Sequence, residues 1–219
     1  MSEAAVMPRG NAVAVEVSEM VQTDGRNRRA AETRRKIIEA AKAMIDETSE
    51  APTVVGVAKR ADVSVRSVFQ HFGDVQSLFV TVMDAVRDDL VVPPPTPSTK
   101  PLDARIESVV ASLAEIFDRI VPLRVAAGQF VGHPVLVERA LTSRQELRAA
   151  TFEMFAPEFA HLGADAREQL ADAIGSALSL DAWVVLRRRD GLSVERAKGV
   201  WNLTLTALLA HELATGKAA

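Results

Sequence analysis

Residues 64–72 read SVRSVFQHF, and this stretch brings together an arginine, a hydroxyl, an amide and an imidazole. On a helix Val65, Val68, Phe69 and Phe72 fall at i, i+3, i+4 and i+7, so they share one face and are expected to be buried. Arg66, Ser67, Gln70 and His71 then stand together on the opposite face. These are the groups that read base edges and grip phosphates. Arginine forks onto guanine O6 and N7, glutamine onto adenine, and serine and histidine reach phosphate or base. Val65 has two readings, contact with a thymine methyl or core, and the helical phase places it on the buried side.

Such a face works only if neighbouring elements hold it outward. Thr53 precedes VVGVAKRA and is expected to cap a short helix. The connection ADVS follows, with Asp62 where a turn needs a left-handed residue, and Ser64 caps the second short helix. Two short helices joined by three or four residues form a helix-turn-helix, whose second helix enters the DNA major groove. At 1.5 Å per residue the second helix is about 12 Å long, close to the groove width. Gly73-Asp74 ends it, and Asp74 caps a further helix to about Leu90. Upstream, Ile37, Ile38, Ala41, Met44 and Ile45 stripe a helix from about Arg28 to Glu47.

Charge is segregated along the chain. The 219 residues carry a net charge of −3. Yet Arg26, Arg28, Arg29, Arg34, Arg35, Lys36 and Lys42 face only Glu32 and Glu39 between positions 26 and 42. Either a polyanion-facing end or a solvated basic helix face accounts for this. Arg28, Arg29, Arg34 and Arg35 are the candidates for phosphate contact. There is no cysteine, which excludes disulfides and thiolate-bound zinc and fits a cytoplasmic location. Residues 1–25 lack the pattern of a signal peptide and read as a mobile tail. No run approaches the roughly 18 apolar residues of a membrane span.

The run from Thr33 to Phe79, TRRKIIEAAKAMIDE…TVVGVAKRADVSVRSVFQHFGDVQSLF, resembles the DNA-binding domain of TetR-type transcriptional regulators. The resemblance rests on Thr53, Ala58, Ala61, Val63-Ser64, Val68, Phe69, His71-Phe72 and Leu78-Phe79. It implies that Thr53 and Val54 approach a phosphate. It also implies that Ser64, Val65, Arg66 and Ser67 meet base edges and that His71 touches the backbone. Phe69 stands where the family usually has a tyrosine, Val75 where it has a phosphate-binding lysine, and Arg66 where glycine or proline is common.

Beyond the proline-rich segment 91–101, the pattern stays helical. Ile106, Val109, Val110, Leu113, Ile116, Phe117 and Ile120 form one stripe, and further helices are expected over 123–131, 134–156, 165–189 and 193–214. The expected class is all-α: a helix-turn-helix domain over 26–90 and a larger helical domain over 102–219. In the 165–189 helix Asp181 falls on the apolar face, either as an intra-bundle ion pair or as an anchor for a ligand or subunit. Ser176, Ser179 and Trp183, with Trp201, Leu205 and Leu208 of the last helix, are candidates for a homodimer seam. The resemblance implies such a dimer, which would read a palindromic DNA operator. It also implies a pocket for a small effector, with Phe117, Phe130, Phe152, Met154, Phe155, Phe159 and His133 as candidate lining; each has simple core packing as its alternative.

The function implied is a ligand-responsive regulator, a repressor released by a small, largely apolar molecule. The alternative is a constitutive or architectural DNA-binding protein without an effector. An enzyme is not expected: the histidines are dispersed, and no metal site, cofactor motif or glycine-rich phosphate loop appears.

Overall fold

A computed structural model describes the backbone over residues 11–90 and 96–215, and side chains over 26–90 and 96–210. The described residues are helical, with no strand among them. The all-α class therefore holds. Helix α1 spans Asn11–Thr48, α2 Val54–Arg60, α3 Val65–Phe72 and α4 Val75–Asp88. Helix α5 spans Leu102–Ala126 and runs into a 3-10 turn, Ala127–Phe130. Then come α6 (Pro134–Met154), α7 (Ala156–Phe159), α8 (Ala164–Ala177), α9 (Leu180–Val184) with a π turn over Val185–Arg189, and α10 (Val194–Thr215).

The three expected caps form. Thr53 Oγ1 accepts from the Gly56 amide at 3.1 Å, Ser64 Oγ from Ser67 at 3.1 Å, and Asp74 Oδ1 from Ser77 at 2.7 Å. Each satisfies an orphan amide of a first helical turn. Asp62 takes the left-handed conformation, φ 53°, so the α2–α3 connection can turn sharply. Gly73 closes α3 at φ 76°, ψ −58°, a region that a side chain would strain.

Two apolar cores result. One gathers Ile37, Ala41 and Ile45 of α1, Val57 and Ala58 of α2, Val68 and Phe72 of α3, and Leu78, Phe79 and Val82 of α4. The other gathers Ile106, Val110 and Ala114 of α5 with residues of α6 to α10, centred on Trp183 and Trp201, whose ring centroids lie 4.5 Å apart. Helix α5 belongs to both: Val121 packs in the second core, while Leu123 and Ala126 pack in the first.

Helix α1 reaches back to Asn11, into the segment read as a tail over residues 1–25; residues 1–10 lie outside the described residues. The single helix expected over 165–189 breaks at Leu178-Ser179, where Ser179 Oγ accepts from the Ala182 amide at 3.1 Å and restarts the chain as α9. The stretch Ala164–Arg189 is long and apolar enough in composition to cross a membrane. Its Leu170, Ala171, Ile174, Leu178 and Trp183, however, are buried in the second core.

An ion pair is sealed inside that core. Arg105 Nη1 and Nη2 donate to the Glu158 carboxylate at 2.7 and 2.6 Å, and Nη1 and Nε also donate to the carbonyls of Met154 and Lys100, each at 2.8 Å. Its guanidinium lies 5.6 Å from the Phe155 ring centroid. Removing one partner leaves the other charge buried without compensation. Glu158→Ala is therefore expected to cost about 3–5 kcal/mol in urea unfolding. A loss below 1 kcal/mol, on the order of an exposed pair, would show that the pair is solvated.

Candidate nucleic-acid interface

Helix α3 is held by few contacts. Val68 and Phe72, one turn apart, are 2% and 8% exposed and anchor it to the first core. Val65 and Phe69 do not join them, being 39% and 49% exposed. The four-residue buried face expected from spacing is thus half as wide. The physical reason is phase: at about 100° per residue, the 65/69 row is rotated about 60–80° from the 68/72 row, beyond the reach of α2 and α4, the helices packed against α3.

The exposed surface of α3 carries three adjacent rows. Val65 and Phe69 form an apolar row. Arg66 and Gln70, both exposed, form the next. Ser67 and His71 form the third and are half-buried, with Ser67 Oγ 2.9 Å from Ser64 Oγ. Thr53 is exposed and Val54 half-buried at the start of α2. Val75, at the start of α4, is half-buried and offers no charge.

The basic residues of α1 divide by partner. Arg28 and Arg29 are exposed, and among the described residues neither has an ion-pair partner. Arg34 lies with its guanidinium 5.1 Å from the Phe72 ring centroid, which sets a positive charge beside α3. Arg35 is bracketed by Glu32 at 2.7 Å and Glu39 at 2.5 Å, and its hydrogen bond holds the Glu32 carboxyl below the ordinary carboxylate range. Arg60 is bound to Glu47 at 2.7 Å, which lowers the Glu47 carboxyl likewise. Such exposed pairs add little stability but neutralise cations that could meet a polyanion. Arg35 is therefore the weakest of the four phosphate candidates.

The effector candidates do not gather round one cavity. Phe130 packs on Phe79, 4.8 Å between ring centroids, in the first core. His133, preceding α6, is half-buried near the Asp74 carboxylate, with a buried Nδ1 that has no partner among the described residues. Phe117, Phe152, Met154 and Phe155 belong to the second core, with Phe159 against Phe152 at 4.8 Å. The 3-10 turn after α5 separates the two groups by carrying the chain back to α4. A cleft of about 350 Å³ instead opens between α1, α4 and α5, lined by Lys42, Ile45, Asp46, Val82, Val86, Arg119, Pro122 and Leu123. Spacing within single helices gave no signal for it.

Asp181 is not on a buried face. The break at Ser179 shifts its phase, and its carboxylate is exposed and paired with Arg124 at 2.5 Å. The ion-pair reading stands, but at the surface. The proposed seam also changes. Trp183, Trp201 and Leu205 are buried within the chain's own core and Leu208 packs half-buried against it, so the first three cannot meet a second copy. Ser179 is spent on its cap, whereas Ser176 is exposed. Leu203, on a different face of α10 from the Trp201 row, is 73% exposed.

The chain matches no protein-family model and no curated protein. What is shown is an all-α protein with an outward-facing, sparsely anchored short helix.

Asp74 ties that helix to α4. The Ser77 amide, then its hydroxyl, holds the Asp74 carboxyl below its ordinary value. A carboxyl depressed on folding stabilises above its unfolded value, and this is lost as pH falls through that value and below. Asp74→Ala is therefore expected to lower the thermal midpoint at pH 7. The difference should shrink as pH falls below about 3.9, the ordinary carboxyl value, and vanish once the depressed Asp74 carboxyl itself protonates. A difference that does not change with pH would remove the charged cap from the account.

Proposed function

We propose that this protein is a transcriptional regulator of the TetR type that binds a palindromic DNA operator as a homodimer in the cytoplasm. The observation that carries the reading is the exposed Arg66/Gln70 row of α3, held outward by the Thr53, Ser64 and Asp74 caps. In this reading residues 26–90 form a helix-turn-helix domain, α3 is its recognition helix, and the α1 arginines contact phosphates. Residues 102–219 form a dimerisation domain, whose α5 lines one side of the effector cleft. The second copy meets the exposed side of α8 and α10, through Ser176 and Leu203 rather than the tryptophans.

The effector reading centres on the cleft between α1, α4 and α5, which sets Ile45, Val82 and Leu123 beside the charged Lys42, Asp46 and Arg119. A molecule wedged there acts only through its different affinity for the two arrangements of α4 against α5. A constitutive DNA-binding protein is the second reading, favoured by the packing of the aromatic candidates into filled cores.

Selection from a random duplex library tests the DNA reading. One palindromic site should emerge, and Arg66→Ala should lose about 1–3 kcal/mol of discrimination at one base step. Failure to enrich any sequence would end the proposal. A screen of small apolar molecules for release from the selected site separates the two effector readings. A compound that releases wild type but not Val86→Trp, with DNA affinity unchanged, supports the cleft. If no compound alters DNA affinity, the constitutive reading stands.

A further inference from the structure

The exposed apolar row of α3 has no use in a solvated helix, and a phosphate offers it nothing. Phe69 leaves about half its surface to water and Val65 lies one turn before it on the same row. Neither is needed to anchor α3, since Val68 and Phe72 do that. The row runs directly beside Arg66 and Gln70, so an occupant of this face presents apolar and hydrogen-bonding groups side by side. Charge selects among occupants: Arg66 is exposed on the adjacent row, and Arg34 sits against Phe72. A polyanion with small apolar groups on its floor fits both features. The major groove of duplex DNA carries one apolar group on its base edges, the thymine C5-methyl.

We propose that Phe69, with Val65, reads thymine C5-methyl groups next to the base bonded by Arg66 or Gln70, and that Phe69 is a specificity-determining residue. This rests on the DNA-binding reading above. The phenyl ring covers a methyl without a hydrogen bond, so it distinguishes thymine from cytosine at a position where phosphate contacts are blind.

The test uses the full chain and the selected duplex, with affinity measured by fluorescence anisotropy at one fixed salt concentration. Each thymidine is replaced in turn by deoxyuridine, which removes the methyl and keeps the base pair. One or two positions per half-site should weaken binding by about 3- to 10-fold, the effect of one methyl leaving an apolar contact. Phe69→Ala should weaken the unmodified site by a similar factor and be insensitive to deoxyuridine at those same positions. Equal affinity for every deoxyuridine duplex overturns the proposal, and so does a deoxyuridine effect that persists undiminished in Phe69→Ala. The deoxyuridine series needs no variant, so it decides the matter even if Phe69→Ala does not fold. Sequence-selective binding that ignores methyls removes only this inference; failure to bind any sequence selectively removes the DNA reading beneath it.

Discussion

Helix α5 is the constraint on which the arrangement depends, because it is shared by two apolar cores. Val121 lies in the core built on Trp183 and Trp201, whereas Leu123 and Ala126, within the next turn and a half, lie in the core that holds α1 to α4. Close-packed interiors transmit displacement rather than absorb it, so neither core can rotate about α5 without repacking the other. Polar contacts reinforce the coupling: Asp84 pairs with Arg139, Arg87 with Glu146 at 3.3 Å, and Arg188 donates to Ser49 Oγ at 3.0 Å. Helix α4 is thereby tied to α6 on one side. On the other it is one residue pair, Gly73-Asp74, from α3.

That short connection explains why α3 can be both sparsely anchored and well placed. An eight-residue helix would not persist alone. Its position comes from Val68 and Phe72 in the core, from Ser64 at its start and from Gly73 at its end. The remainder of its surface is free of structural duty. In the proposed function that freedom is the reason the same helix can carry a cationic, an amide and an aromatic reader on adjacent rows.

The N-terminal elements were legible because their signals are local. Thr53, Ser64 and Asp74 each cap a helix a few residues away, and Asp62 meets a turn at its own position. Spacing also identified the α1 and α5 stripes. What it could not supply was how far a packing partner reaches. The wheel groups Val65 and Phe69 with Val68 and Phe72, but only contact with α2 and α4 decides where the buried face stops. Helix phase failed in the same way after Ser179, where a break moved Asp181 to the surface. An apolar row such as Trp201 and Leu205 fits a dimer seam and a protomer core equally well until the remaining helices are placed. Arg105 and Glu158, 53 residues apart, left no spacing signal at all.

The distribution of charge adds a further step. If α3 meets DNA, neither Val75 nor the phenyl ring of Phe69 can bond a phosphate, so the grip has to come from elsewhere. Arg35 and Arg60 are held by their own glutamates, so they contribute little net charge at a distance. Arg34 is directed toward Phe72 rather than outward along α1. The exposed cations left among the described residues 26–90 are Arg26, Arg28, Arg29 and Lys36 of α1, Lys59 of α2 and Arg66 on α3 itself. Affinity would then be carried mainly by the exposed part of α1, which no apolar contact with the core restrains, and base discrimination by α3. The two tasks fall on separate elements, so a change in one leaves the chemistry of the other intact.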